Sequence, residues 1–230
     1  MTTIIRAGGN VGRPLKLLVL GATGQTGCEI VTQGLQRGFE IRALVRTPSK
    51  LAVVDPRLEV IEGSPLDATT LGRCVPGTSA VLSTLGHTDL KESSFVTDAA
   101  KALTAQMGQH GVKRLIIISS TLVAPGGSFL TQIPRLITRH AINDSARMED
   151  AVRPTDLAWT IVRLVRLTSK AASPYRIFED ELPSVSASIS RKTVAACLLD
   201  LLSGAAHEKK TIGVCARRSG LSSRGTTLRP

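Results

Sequence analysis

Aromatic side chains make up only 3% of this 230-residue chain. That argues against a protein that stacks the bases of single-stranded nucleic acid on aromatic rings. There are four cysteines, Cys28, Cys74, Cys197 and Cys215, all far apart in sequence. No CxxC pair and no Cys/His cluster has metal-ligand spacing, so no metal site is expected. Reduced, mostly buried thiols fit a cytoplasmic protein. No apolar run reaches the length of a membrane span. The opening "MTTIIRAGGNVGRP" lacks the apolar core of a secretory signal.

Acidic charge is also scarce. The formal net charge is +11 and the isoelectric point about 10.2. Much of the excess lies near the end, where Lys209, Lys210, Arg217, Arg218, Arg224 and Arg229 outnumber the single acid Glu208. A solvated basic tail over 215–230 accounts for this, and a nucleic-acid surface is not expected. Residues 1–14, with Arg6 and Arg13, form a short N-terminal extension.

What the chain does have is 42% hydrophobic residues, arranged in alternating strand and helix patterns. "LKLLVL" (15–20) predicts a first strand covered on both faces. A helix is expected from Cys28 to Arg37, ended by Gly38. Strands follow over 39–45, 58–63 and 79–86. A long helix is predicted over 94–110 and a fifth strand over 113–120. Residues 121–134 are rich in turn formers. A helix from Leu136 to Arg153 is stopped by Pro154. A sixth strand covers 158–164, and Tyr175 falls in a loop. A last helix is capped by Ser190, and a short strand covers "KTIGVC" (210–215). Such alternation implies parallel strands joined by right-handed crossovers. The expected fold is a Rossmann-like, doubly wound α/β/α sandwich over residues 15–214, with strand order 3-2-1-4-5-6.

"LLVLGATGQTGCEIV" places Gly21, Gly24 and Gly27 at intervals of three between the first strand and its helix. Gly21 permits the sharp turn, Gly24 leaves room for phosphates, and Gly27 lets helix and sheet pack closely. The helix N-terminus supplies unpaired N–H donors. Thr23, Gln25 and Thr26 line the same turn. An apolar strand before, a helix after and a second strand beyond make this a dinucleotide-binding turn. Where an NAD-binding chain usually carries an acid, this one has Arg46. A guanidinium there suits the 2′-phosphate of NADP(H), with Ser49 and Lys50 within reach.

"GATGQTG", "LVRTPSKL", "GVKRLIIISS", "ARMEDAVRPTDLAWTIVRL" and "SISRKTVA" together resemble the atypical short-chain dehydrogenase/reductase proteins with an NmrA-like or NAD(P)H-binding domain. Within that family the chain is similar to the flavin reductase (biliverdin reductase B) branch. The resemblance covers roughly residues 15–214. It implies that Gly21, Thr23, Gly24, Gln25, Thr26 and Gly27 hold a pyrophosphate and Arg46 a 2′-phosphate. It also implies that Thr84, Leu85 and Gly86 lie along the nicotinamide ribose, with Ser119 and Ser120 beside the nicotinamide. The backbone at Arg163, Leu164 and Val165 would meet the carboxamide. Three positions depart from the family. Gly63-Ser64-Pro65 replaces a Gly-Asp near the adenine, Leu164 stands where proline is frequent, and Ser145 replaces a histidine of the reductase branch.

The Tyr-xxx-Lys pair of ordinary short-chain dehydrogenases is missing: Tyr175 is the only tyrosine and no lysine follows four residues on. Alcohol–ketone chemistry is therefore disfavoured. Hydride transfer to a flavin, quinone or similar conjugated small molecule needs little protein acid and depends mainly on positioning. Ser120 is a contact to nicotinamide or substrate, or simply the end of a strand. His87, just past strand four, is a proton donor or an exposed loop residue. Tyr175 covers the pocket or packs against the body. Arg166 would attract an anionic substrate, while Arg139 and His140 form a solvated face. Two readings stand: an NADPH-dependent reductase, or a non-catalytic NADP-binding redox sensor of the NmrA type that presents a surface to a regulatory protein partner. Oligomeric state is not legible.

Overall fold

A computed structural model describes residues 14–87, 93–123, 139–179 and 187–217. The elements run β1 (Lys16–Leu20), α1 (Gln25–Gln36), β2 (Glu40–Val45), β3 (Leu58–Glu62), α2 (Ala68–Cys74), β4 (Ala80–Ser83), α3 (Phe95–Gln109), β5 (Arg114–Ser120), α4 (Arg139–Val152), β6 (Ala158–Leu164), β7 (Arg166–Thr168), β8 (Tyr175–Phe178), β9 (Ser188–Ser190), α5 (Arg191–Asp200) and β10 (Lys210–Ala216). Single 3-10 turns follow β2, β5 and α5.

The sheet has the order β3-β2-β1-β4-β5-β6-β10-β8. Every pairing from β3 to β10 is parallel, and β8 closes the edge antiparallel to β10. The expected 3-2-1-4-5-6 order is present, with two strands added beyond it. Alternation in β1 explains the layering. Leu17 and Val19 enter one apolar cluster with Ile30, Val31 and Leu198, against α1 and α5. Leu18 and Leu20 enter the other, with Leu71, Leu103 and Met148, against α2, α3 and α4. Leu17, Leu18, Val19 and Leu20 are fully buried. Truncating any of these leucines to alanine would cost about 2–5 kcal/mol.

Several boundaries differ from expectation. α1 begins at Gln25 rather than Cys28, because Gly24 already accepts the first helical bond, from Cys28 N–H at 2.8 Å. α4 starts at Arg139 among the described residues; 136–138 lie outside them. α2 has no counterpart in the sequence reading. Its seven residues are too few to show a period, and Asp67 starts it by accepting from Thr69 N–H at 3.1 Å and Thr70 N–H at 3.0 Å. The Thr70 hydroxyl bonds the same carboxyl and holds it below its ordinary range. Tyr175 is not in a loop: it opens β8, opposite Ala216 of β10. β7 and β9 form a small parallel pair of their own beyond β6. The final strand reaches Ala216, two residues past the expected domain end. The N-terminal extension up to residue 13, the stretch 124–138 that includes much of the expected turn-rich region, and the tail from 218 fall outside the described residues.

Candidate coenzyme and active site

Parallel pairing brings the C-terminal ends of β2, β1, β4, β5 and β6 to one edge. Leu20 pairs with Leu44 on one side and Ser83 on the other. Arg46 therefore follows β2 beside the Gly21 turn, and Thr84 follows β4 on its other flank. Ser119 and Ser120 pair with Arg163 and Leu164 at the ends of β5 and β6. The structure thus aligns the expected site residues along a single rim.

The glycine turn is built to admit no side chains. Gly21 has φ +79°, and a Cβ there would lie 2.9 Å from the backbone of Thr84. A Cβ on Gly27 would come within 2.1 Å of the Gly21 carbonyl oxygen. The first position needs a left-handed backbone, the second a close helix–strand approach. Gly24 N–H donates to Gly21 O at 2.9 Å, closing the turn. No side chain caps α1, and the ladder starts only at Cys28, so the N–H groups of Gln25, Thr26 and Gly27 precede it. Thr26 is buried, whereas Thr23, Gly24 and Gln25 are exposed. A backbone donor cluster at a helix N-terminus with room above it fits a diphosphate.

Arg46 is exposed, and its guanidinium carbon lies 5.9 Å from the centre of the Phe95 ring. A cation at that distance is held by the ring face. Among the described residues no carboxylate is within ion-pair distance of Arg46, unlike Arg37, Arg42, Arg57 and Arg163. Ser49 and Lys50 follow in an exposed 3-10 turn. Among the described residues Arg46 is thus a cation without an acidic partner, next to the glycine turn.

The other half of the rim is occupied with itself. Glu149 of α4 has no exposed surface. It accepts the Ser119 hydroxyl at 2.6 Å, and Arg163 donates to it from Nε at 3.0 Å and Nη2 at 2.7 Å. Arg153 adds a further ion pair. The Ser119 hydroxyl and the Arg163 side chain are thereby spent on the protein, leaving their main chain at the rim. The Ser120 hydroxyl accepts from Leu122 N–H at 3.2 Å. Thr84 donates its hydroxyl to Leu20 O at 3.0 Å, and Leu85 packs onto the α2/α3/α4 cluster. Gly86 is exposed, and Leu164 and Val165 are buried. His87 is not an exposed loop residue. Its side chain is 16% exposed and Nε2 lies 3.1 Å from Asp144 Oδ2.

Tyr175 does not cover the rim. Its hydroxyl donates to Asp200 Oδ2 at 2.7 Å, and Arg37 holds the other carboxylate oxygen at 2.7 Å. Burial, Cys197 and Asp200 push the phenol well above its usual value, the opposite of the lowering a catalytic tyrosine needs. Arg166 is exposed on β7, and Arg139 is exposed as expected. A recess of about 350 Å³ lies at the opposite edge of the sheet, around Leu17, Ser79 and Arg114. There Arg114 staples β6 and the turn after α5 through the carbonyls of Ala158 and Leu201.

Asp144, Glu149 and Phe95 carry much of this geometry and none was singled out from sequence. A signal existed for the two acids. In "DSARMEDAV" Asp144, Met148 and Val152 recur at intervals of four, so one acid sits on the stripe of α4 that must face the sheet, with Glu149 beside it. A carboxylate on a buried stripe needs a partner.

Comparison with known proteins bears on the family of the chain and on its fold. An uncharacterized chloroplastic protein of Arabidopsis thaliana is 28% identical over 227 residues, covering 90% of this chain and 79% of that one. A (4-alkanoyl-5-oxo-2,5-dihydrofuran-3-yl)methyl phosphate reductase of Streptomyces griseus is 27% identical over 209 residues, covering 86% of this chain and 67% of that one. Mycobacterium tuberculosis 3β-hydroxysteroid dehydrogenase/isomerase matches over 124 residues, where the chain spans 33% of the relative's length. A solved Rossmann-fold NAD(P)-binding family protein from Shigella flexneri superposes with a TM-score of 0.69 at 25% identity, over 94% of this chain and 100% of that one. Residues 21–204 match the family model described as NAD(P)H-binding, a span that starts at the first glycine of the turn. This chain belongs to the NAD(P)H-binding family.

Proposed function

We propose that this protein is an NADPH-dependent reductase that delivers hydride to a flavin, quinone or similar conjugated acceptor. The observation that carries the coenzyme choice is Arg46, exposed, stacked on Phe95 and without a carboxylate partner among the described residues, beside an uncapped helix N-terminus. NADPH, when bound, supplies the hydride. The N–H groups of Gln25, Thr26 and Gly27 hold the diphosphate, which lies over Gly24 with Thr23 at its rim. Arg46 pairs with the 2′-phosphate, assisted by Ser49 and Lys50. Thr84, Leu85 and Gly86 border the ribose, and the main chain at Ser119 and Arg163–Val165 borders the nicotinamide. Ser120 stands at the acceptor side. The Streptomyces griseus relative, named as a reductase, supports the same class of chemistry. So does the tyrosine, withdrawn by Asp200 from any role in alcohol oxidation.

We take the coenzyme-binding unit as residues 15–214, carried on to Ala216 by the end of β10, between a short extension and a basic tail. The four cysteines, three of them buried, suit a cytoplasmic setting. No described helix is long and apolar enough to cross a membrane. A second reading, an NADP-binding regulator without turnover, is favoured by the self-pairing of Ser119, Glu149 and Arg163, which leaves few free polar side chains for chemistry.

Two measurements test the proposal. Calorimetry should give tighter binding for NADPH than NADH, and Arg46→Glu should cost NADPH binding about 1.5–3 kcal/mol while NADH changes little. Equal losses would end the 2′-phosphate role. Absorbance of NADPH mixed with FMN or menadione should fall faster with protein than without it. Tight binding with no turnover would leave the regulator.

A further inference from the structure

The start of α3 is capped from outside. Ser94 occupies its N-cap position but makes no capping bond to the backbone. Asp144 of α4 does that work, with no side-chain surface exposed. It accepts from Val96 N–H at 3.1 Å, from Thr97 N–H at 3.2 Å and from the Thr97 hydroxyl at 2.5 Å. The positive end of a helix dipole favours an anion at such a place. Arg147, the nearest cation, lies 3.9 Å away on the same helix. Oδ2 of this carboxylate also accepts from His87 Nε2–H at 3.1 Å. A buried carboxylate with fixed donors orients the imidazole and selects its tautomer, leaving Nδ1 as the working nitrogen. Among the described residues Nδ1 has no partner, and part of the ring remains exposed.

The position of the pair is as telling as its bonds. α4 is the crossover between two parallel strands, so it runs back along the sheet. Glu149 meets Ser119 at the end of β5. Asp144 lies five residues earlier, about 7.5 Å along the axis at 1.5 Å per residue. It therefore stands beyond the end of β5, over the rim. His87 is brought to Asp144 from the loop after β4, where it follows Thr84, Leu85 and Gly86 in the chain.

We propose that His87 is the proton donor of this reaction and that Asp144 is its positioning residue. The inference rests on the reductase reading above. The balance is simple. A quinone gains one hydrogen nucleus and two electrons as hydride from NADPH. The resulting hydroquinone anion takes a proton from Nδ1 of the His87 imidazolium, forming its O–H bond as the N–H bond breaks. Solvent water then reprotonates the ring. Both parts of the pair are needed: without Asp144 the ring is free to turn or to change tautomer.

The test uses the full chain with NADPH and menadione, alongside 15N NMR of the imidazole in the protein without coenzyme. His87→Gln, which leaves the α3 amides capped, is expected to lower kcat about 100-fold with KM for NADPH unchanged. Asp144→Asn should lower kcat less, and its His87 ring should lose the preference for a proton on Nε2. Thermal melts of both variants separate loss of chemistry from loss of fold. If the wild type turns over and His87→Gln keeps its kcat, or if the wild-type ring carries its neutral-state proton on Nδ1, the assignment is wrong while the reductase reading stands. If the wild type binds NADPH and reduces neither menadione nor FMN, the reductase reading falls and takes the proton donor with it.

Discussion

The two halves of the rim treat polar groups in opposite ways. From β1 to β2 the chain leaves donors open: three helix amides ahead of the α1 ladder, and a guanidinium that, among the described residues, is held by an aromatic face and by no carboxylate. From β5 to β6 it closes them: Ser119, Glu149, Arg163 and Arg153 satisfy one another, and Asp144 satisfies the start of α3. An open donor needs a ligand to answer it, while a closed network stiffens the wall against which that ligand lies. Binding should therefore be sensitive at the first half, and stability at the second.

The sharpest way to break this contrast is at Glu149. Glu149→Ala leaves Arg163, whose side chain is 14% exposed, without its counter-charge. Removing one partner of such a pair is expected to cost about 3–5 kcal/mol, read as a drop in the urea midpoint. A variant as stable as the wild type would mean the network is ornamental.

Gly27→Ala probes the open half. Its Cβ must displace the Gly21 carbonyl, which it would otherwise approach to 2.1 Å. Overpacking of this kind costs about 1–3 kcal/mol. The loss should appear in coenzyme affinity by calorimetry more than in the melting curve, because the turn can yield outward on its exposed side at Thr23, Gly24 and Gln25. A loss confined to stability would reverse the assignment of the two halves.

The smallest effect sharpens the comparison of two helix starts. α5 is capped by the Ser190 hydroxyl, which accepts Thr193 N–H at 3.1 Å, whereas α1 has no side-chain cap. Ser190→Ala should cost about 1 kcal/mol of stability and leave coenzyme affinity unchanged. That pattern would mark an uncapped helix start in this fold as the place kept for a ligand.

The sequence by itself determined the alternation of strands and helices, the parallel order from β3 to β6, and the glycine turn followed by Arg46. These rest on local rules. Period and apolarity are written in consecutive residues, and a left-handed Gly21 or a bare Gly27 is a property of one short segment. Local rules failed where segments were short or borrowed their support. α2 is a seven-residue helix started by one carboxylate, and β8 exists because β10 offers it an edge. Only the tertiary structure decided which polar side chains were free. Ser119 meets Glu149 across 30 residues, His87 meets Asp144 across 57, and Tyr175 meets Asp200 across 25. A hydroxyl or imidazole reads alike in sequence whether it faces a ligand or a buried acid, because that difference is created when a crossover helix folds back onto its sheet.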